Sequence, residues 1–143
     1  MTTEPRSPEA LEELTELGAR ARDAQRRAYA PYSKFRVGAA VRMSGGVFEG
    51  ANVENASYGL SVCAERIAVF AAVIAGAHRL EMVAVCTDAS PPSSPCGACR
   101  QVLREFAPDP AAVTVTAINP RGERRTWTLA ELLPDSFSGQ ELP

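Results

Sequence analysis

The stretches Cys63-Ala64-Glu65-Arg66 and Pro95-Cys96-Gly97-Ala98-Cys99-Arg100 decide how this sequence folds and what it holds. Three thiolates, one from the first stretch and two from the second, can hold a tetrahedral zinc ion and leave its fourth position open. The Glu65 carboxylate, two residues after Cys63, can then accept a proton from a water molecule at that position and donate it again. The two stretches together predict a hydrolytic zinc site.

Helix ends explain why these residue types stand at this spacing. Cys96 and Cys99 are three residues apart, so both sulfurs can face one ion from the first turn of a helix. Cys63 precedes an apolar run that also predicts a helix, and the partial positive charge of a helix N-terminus favours thiolates. Because residues 63 and 65 share no face in mid-helix, the interpretation requires Cys63 to lie at the helix end.

Three thiolates around one zinc ion leave a net negative charge that neighbouring cations can offset. Each of the two stretches has an arginine beside a motif residue. We expect Arg66 to donate hydrogen bonds to thiolate sulfur. For Arg100 the preferred interpretation is a solvated place on a helix surface, with a contact to sulfur as the alternative.

The cysteines also allow two other interpretations, a redox pair and a closed structural zinc site. A lone Cys-x-x-Cys pair can be a redox pair, and a closed structural zinc site needs a fourth ligand. Neither His78, the single histidine of the sequence, nor Cys86 belongs to a second paired-ligand motif. We therefore expect an open zinc site, a surface position for His78 and a buried apolar role for Cys86.

Composition limits the class of protein. The chain has 143 residues, of which 45% are hydrophobic, enough for one domain with a proper core over residues 1–143. Residues 1–6 are expected to be disordered. A net charge of −2 argues against nucleic acid as a partner. The sequence shows neither a secretory signal pattern nor a membrane-spanning apolar run, so the chain is interpreted as cytoplasmic.

Helix and strand signals alternate along the chain. Ser7-Pro8-Glu9 predicts a helix start, and Pro31 requires that helix to end by Ala30. The further predicted elements are a β-hairpin over 35–43 and 47–52, helices over 63–75 and 97–106, strands over 82–86, 113–118 and 125–128, and a helical turn over 129–133. Strands interleaved with helices indicate a layered α/β domain.

A polar cluster, Asn52-Val53-Glu54-Asn55, follows the second strand of the predicted hairpin. Ligand-binding groups often lie at strand ends in open α/β sheets. Taken without the cysteine stretches, the cluster is better interpreted as a solvated loop.

Several motifs in order resemble the small homotetrameric zinc-dependent cytidine deaminase family. The match also includes the general signature of zinc-dependent base deaminases, in which an acid follows the first ligand and Pro-Cys-x-x-Cys comes later. Here Cys63 stands where that signature often has histidine. The similar segments cover 29–35, 37–40, 52–55, 63–66, 95–101 and 132–137.

The resemblance implies a three-layer α/β/α fold with a five-stranded mixed sheet and one zinc ion per subunit. It implies that Asn52 and Glu54 hold the ribose hydroxyls, that Phe35 packs on the nucleoside, and that the backbone around Ala64 contacts the base edge. It also implies a homotetramer with shared active sites, in which Tyr58 and Phe137 complete a neighbour's site.

The activity implied by the resemblance is hydrolysis of cytidine and 2′-deoxycytidine to uridine, 2′-deoxyuridine and ammonia in pyrimidine salvage. Zinc-bound hydroxide would attack C4 of the base while Glu65 carries protons to N3 and the leaving amino group. Two alternatives remain: a related deaminase of another small aminated heterocycle such as blasticidin S, and a non-catalytic zinc module.

Two residue patterns bear on assembly independently of the resemblance. Phe137 lies in a tail after Pro134, where a single chain offers an aromatic ring little to pack on. The predicted helix over 63–75 is apolar on more faces than one sheet covers. Both patterns favour a homo-oligomer, and a tail folded back on its own subunit is the alternative.

Overall fold

The computed structural model describes residues 7–143, so the disorder expected for residues 1–6 lies outside it. Its longer elements are α1 (Pro8–Gln25), β1 (Gly38–Met43), β2 (Gly46–Ala51), α2 (Ala64–Ile74), β3 (Leu80–Cys86), α3 (Gly97–Glu105), β4 (Thr114–Ile118), β5 (Arg124–Thr128) and α4 (Leu129–Leu132). Short 3-10 turns cover Tyr58–Leu60, Pro110–Ala112 and Gly139–Glu141.

Within the described residues, the strands form one five-stranded sheet in the order β2-β1-β3-β4-β5. The β3–β4 pair is parallel and the other three pairs are antiparallel, so the sheet is mixed. Helix α1 packs on one face, while α2 and α3 pack on the other. The predicted α/β/α architecture with a five-stranded mixed sheet is confirmed.

Strand β1 lies at the centre of both cores. Ala39, Val41 and Met43 face α2, whereas Ala40 faces Leu14 and its neighbours on α1. In the sequence of this strand, apolar residues alternate with small or polar ones, a pattern typical of a strand buried on one face. The small residues are buried as well, because a helix covers each face of the strand.

Two glycines let these helices approach the sheet closely. A Cβ atom at Gly38 would lie 2.0 Å from the Ala21 carbonyl oxygen of α1. A Cβ atom at Gly50 would lie 2.5 Å from the Ala64 carbonyl oxygen and the Ala68 nitrogen of α2. Gly50 therefore sets the depth at which the N-terminal end of α2 lies against β2.

Helix α1 begins as predicted, with the Ser7 hydroxyl accepting a hydrogen bond from the Ala10 N–H. It ends at Gln25, so Ala28 lies outside the helix although its spacing continues the apolar series. The chain leaves the helix early because Tyr29 pairs with the segment after β2. Its N–H donates to the Asn52 carbonyl and its own carbonyl accepts from the Glu54 N–H.

The apolar run predicts a buried central helix with more apolar faces than one sheet covers, and in the single chain α2 is buried only on the side that faces the sheet. Ile74 is 89% exposed and Phe70 47% exposed, because the sheet covers only the opposite side of the helix. Among the described residues, no helix combines the length and apolar character required to cross a membrane.

Candidate metal centre and active site

The three predicted metal ligands converge at the N-terminal ends of two neighbouring helices. Cys63 is the N-cap residue of α2 and Cys96 is the N-cap residue of α3, while Cys99 lies in the first turn of α3. The Cys63 and Cys96 sulfurs are 3.9 Å apart, and those of Cys96 and Cys99 are 3.5 Å apart. All three sulfurs lie within 4.8 Å of one another.

The local backbone explains why the sulfurs point off the helix ends. Both N-cap cysteines have extended backbone, and their carbonyl oxygens accept the first helical hydrogen bonds, from the Ile67 and Arg100 N–H groups. An N-cap side chain lies beyond the helical turn and can reach a ligand at the helix axis. The geometry meets the condition that Cys63 be terminal.

Arg66 contributes charge at this cluster of sulfurs. Its Nη2 lies 3.4 Å from the Cys63 sulfur and donates to it. Hydrogen bonds from the Cys99 thiol and from Arg66 lower the pKa of Cys63 to about 5. The hydrogen bond to Cys63, together with burial, raises the pKa of Cys99. Cys63 is thus favoured as a thiolate, and thiolate is the form that binds metal.

Glu65 is buried beside the thiolates, with only 4% of its surface exposed. Burial raises its pKa to about 7, and the negative charge of Cys63 adds to the effect. Its Oε1 atom is buried and has no hydrogen-bond partner within residues 7–143. A buried carboxyl with a free oxygen beside three soft thiolate donors fits a zinc centre whose remaining position is open to a reactant.

The metal cluster borders a cavity of about 310 Å³. Phe35, Asn52 and Glu54 line it together with Cys63, Glu65 and Cys96. The structure therefore brings three of the predicted substrate-binding residues to the metal cluster. The volume falls at the lower end of the range typical of small-molecule sites, about 300–1,000 Å³.

Asn52 and Glu54 shape the loop that carries Phe35. The Asn52 Oδ1 accepts from the Val37 N–H at 2.8 Å, and its Nδ2 donates to the Phe35 carbonyl at 2.9 Å. Glu54 accepts hydrogen bonds from the backbone N–H groups of Tyr32 and Ser33 and from the Ser33 hydroxyl. The bonds from Ser33 and Tyr32 hold the pKa of Glu54 below its usual range.

Three further predicted residues lie at different distances from this cavity. Ala64 is fully buried at the start of α2, next to Cys63. Tyr58 is 76% exposed and packs near the Tyr32 ring over a neighbouring depression that Glu54 also lines. Phe137 is 59% exposed, and its carbonyl accepts a hydrogen bond from Gln101 of α3. The backbone of Phe137 is thus bonded to its own subunit, while more than half of the residue remains exposed.

Neither expectation for Arg100 is correct. The side chain is half-buried, and its guanidinium donates to the carbonyls of Pro95 and Leu132 and to the Ser94 hydroxyl. Those acceptors occupy the guanidinium, so Arg100 neither lies free in solvent nor donates to a cysteine sulfur. His78 is exposed, and Cys86 is buried at the end of β3, as expected for both.

Ser33 received no role in the sequence interpretation, although it organises Glu54 through its hydroxyl and its N–H. Its own hydroxyl also accepts from the Phe35 N–H at 3.0 Å. Its position two residues before a predicted substrate-binding aromatic was the available signal. The partner, Glu54, lies 21 residues away in the sequence, which local patterns do not reveal.

Comparison with known proteins agrees with this geometry. Residues 11–116 match the family model described as the cytidine and deoxycytidylate deaminase zinc-binding region. The chain belongs to the cytidine deaminase family. Membership makes it a zinc-dependent hydrolase, with Cys63, Cys96 and Cys99 as its metal-binding group.

Individual relatives support the same assignment. A cytidine deaminase of Halalkalibacterium halodurans is 47% identical over 116 residues, which cover 80% of this chain and 86% of the relative. One of Sporosarcina psychrophila is 43% identical over 131 residues, covering 91% and 95%. The crystal structure of cytidine deaminase from Burkholderia pseudomallei superposes with a TM-score of 0.81 at 46% identity, covering 86% of this chain and 98% of that one.

Proposed function

We propose that this chain hydrolyses cytidine and 2′-deoxycytidine to uridine, 2′-deoxyuridine and ammonia. The proposal rests on one observation: three thiols converge beside a cavity that Cys63, Cys96 and the buried Glu65 line, and Glu65 has an oxygen without a hydrogen-bond partner in the described residues. Family membership supports cytidine as the substrate class. We further assign residues 1–143 to one catalytic domain that works in pyrimidine salvage.

When bound, zinc supplies Lewis-acid chemistry that activates water as a nucleophile near neutral pH. Glu65 accepts the water proton on its free oxygen, and a pKa of about 7 lets the carboxyl both take up and release that proton. Glu65 then delivers the proton to N3 of the base. With the water oxygen now bonded to C4, Glu65 carries the second proton, from the hydroxyl group on C4, to the amino group, and the bond between C4 and that nitrogen breaks as ammonia leaves.

Ribose binding by Asn52 and Glu54 is compatible with the hydrogen bonds they already make. An amide has two donor hydrogens and two acceptor lone pairs, and Asn52 uses one of each on the Phe35 loop. A carboxylate has about four acceptor positions, of which Glu54 uses three. Each residue retains capacity for a sugar hydroxyl while it positions Phe35 against the nucleoside.

The base edge is assigned to the backbone at the start of α2. The first N–H groups of a helix lack partners within the helix and can donate to a ligand. Ala64 is the first residue of α2, directly after the metal-binding Cys63. The assignment concerns the backbone of Ala64 alone, because its side chain is fully buried in the core.

We propose a homotetramer with active sites shared between subunits. The exposed apolar side chains of Phe70 and Ile74 on α2 suit packing against another copy. Tyr58 and Phe137 expose most of their rings and would complete a neighbour's nucleoside site. We place the protein in a cytoplasm, where reducing conditions keep the metal-binding thiols available.

The test is an absorbance assay with purified zinc-loaded protein. Its substrates are cytidine, 2′-deoxycytidine, their monophosphates and blasticidin S. We expect turnover of both nucleosides. Turnover of blasticidin S or a monophosphate alone would replace the proposed substrate, and zinc binding without any turnover would support the non-catalytic module. His78→Ala is the matched control for a closed site and is expected to retain both zinc and activity.

A further inference from the structure

The half-buried Arg100 of α3 holds two segments that are distant in sequence. Each nitrogen of the Arg100 guanidinium has one acceptor. Its Nε donates to the Pro95 carbonyl at 2.7 Å, and its Nη2 donates to the Ser94 hydroxyl at 2.8 Å. Its Nη1 donates to the Leu132 carbonyl at 2.7 Å. One planar group therefore joins the 94–95 loop to the end of α4.

Both segments lead to functional residues. Pro95 directly precedes the metal-binding Cys96, and Ser94 lines the cavity beside it. Leu132 ends α4, from which the chain continues to Phe137. A displacement of the first segment moves a zinc ligand, whereas a displacement of the second moves an aromatic ring assigned to the neighbouring subunit's site.

Two other side chains of α3 bond to the chain that follows α4. Gln101 donates to the Phe137 carbonyl at 3.1 Å, and Arg104 donates to the Ser136 hydroxyl at 2.9 Å. Within the described residues, neither side chain hydrogen-bonds to the 94–95 loop. Arg100 differs from both because it hydrogen-bonds to the 94–95 loop as well as to the end of α4.

We propose that Arg100 is a positioning residue which fixes the Cys96 loop and the C-terminal segment relative to each other. Zinc retention and the placement of Phe137 then share one anchor on α3. The effect on zinc retention follows only from the convergence of the three sulfurs and from the hydrogen bonds between Arg100 and the 94–95 loop. The claim about Phe137 rests on the proposed function.

The arrangement of the guanidinium donors matters more for this positioning role than the positive charge of Arg100 does. The Arg100 acceptors are two carbonyls and a hydroxyl, all formally neutral, and the side chain that donates to a thiolate is Arg66. Guanidinium presents its donors in a rigid fork, whereas the lysine ammonium is a single point with three donors. A lysine at position 100 keeps the charge and loses the simultaneous reach to two segments.

The experiment compares Arg100→Ala, Arg100→Lys, Ser94→Ala and Gln101→Ala in the full chain. Zinc release to a coloured chelator is measured first, because this readout needs no substrate. We expect both Arg100 variants to release zinc about tenfold faster. Loss of groups that support metal ligands lowers metal affinity by roughly 10- to 100-fold, and this expectation takes the lower end of that range. Ser94→Ala loses one of the three contacts and should show a smaller acceleration. Gln101→Ala should release zinc at the wild-type rate.

The second readout is the KM for cytidine. Both Arg100 variants and Gln101→Ala should raise KM, because all three loosen the segment that carries Phe137. The combination of effects separates the residues: Arg100 affects zinc release and KM, whereas Gln101 affects KM alone.

Defined outcomes overturn the proposal. Zinc release from Arg100→Lys at the wild-type rate would show that the positive charge at this position, and not the fork-shaped arrangement of guanidinium donors, retains zinc. Equal acceleration in Gln101→Ala would show a general loosening of α3. If Arg100→Ala does not fold, Arg100→Lys and Ser94→Ala decide the question. If the wild-type protein deaminates no cytidine, the proposed function fails, while the zinc-release comparison still decides whether Arg100 anchors the Cys96 loop.

Discussion

The two ends of α2 differ sharply in their surroundings. At the N-terminal end, Ala64 and Ala68 are fully buried and Glu65 is 4% exposed. At the C-terminal end, Phe70 is 47% exposed and Ile74 is 89% exposed. Both ends belong to one apolar helix, so residue type does not explain the difference. The sheet covers the first end, and nothing in the described part of the chain covers the outer side of the second.

If the proposed homotetramer is correct, this contrast separates what one chain provides from what a second copy provides. The metal centre is positioned by contacts within the chain, since Gly50 lets α2 lie against β2 and Arg66 donates to Cys63. The exposed half of α2 and the outward ring of Phe137 are suited to contacts between subunits. Substitutions at the two ends should therefore fail in different ways.

The largest effect is expected at the buried end, for Gly50→Ala. Its Cβ atom would lie 2.5 Å from backbone atoms of Ala64 and Ala68, which cannot turn aside as a side chain can. Overpacking of this kind costs roughly 1–3 kcal/mol, and backbone contact on α2 places this change at about 3 kcal/mol. Chemical denaturation measures the loss of stability, and a metal assay should find well below one zinc per chain.

Gly139→Ala is the matched control, because nothing lies within 4 Å of a Cβ atom at Gly139. It should leave zinc content and stability unchanged. Normal zinc content in Gly50→Ala would show that the position of α2 does not depend on this close approach.

An intermediate effect is expected at the exposed end, for Ile74→Asp. A charge on this apolar surface should prevent subunit association while the isolated chain stays folded, because the Ile74 side chain has few contacts within its own chain. Light scattering should change from four times the 15.2 kDa chain mass to that of smaller species. Ala19→Asp, on the exposed side of α1, should keep the wild-type mass; a tetrameric Ile74→Asp would place the interface elsewhere.

The smallest effect is expected for Phe137→Ala. Aromatic packing contributes about 0.5–1.5 kcal/mol beyond area burial, which corresponds to a roughly two- to tenfold rise in KM for cytidine. Zinc content should stay at the wild-type value, because Phe137 is 59% exposed and does not line the cavity beside the metal cluster of its own chain. A fully active monomer in dilute solution, or unchanged KM in the variant, would contradict a shared site.

Local spacing accounts for what could be predicted from the sequence. The Cys96–Cys99 pair, the apolar run after Cys63 and the Ser7 helix start depend on residues within one turn or one strand of each other. These features predicted the helix N-termini correctly, and the alternation of strands and helices predicted the layered fold.

Contacts between distant segments account for what could not be predicted. One of the three Arg100 acceptors, the Leu132 carbonyl, lies 32 residues away, and the Ser33–Glu54 contact spans 21 residues. The early end of α1 likewise depends on pairing between Tyr29 and the segment after β2. The sequence indicated that one sheet would leave part of α2 uncovered, but which residues are exposed depends on how α2 lies on the sheet, and periodicity alone does not specify that Ile74 is one of them.

The most direct test of the active-site account is Glu65→Gln, measured for zinc content and for the cytidine deamination rate in the same preparation. Glutamine keeps the shape of the side chain and cannot take up and release a proton. The account predicts about one zinc per chain, wild-type mass and a rate lower by at least ~10²-fold, the effect typical of losing a general acid and base. Deamination at the wild-type rate by this variant would contradict the assignment of Glu65 as the proton carrier.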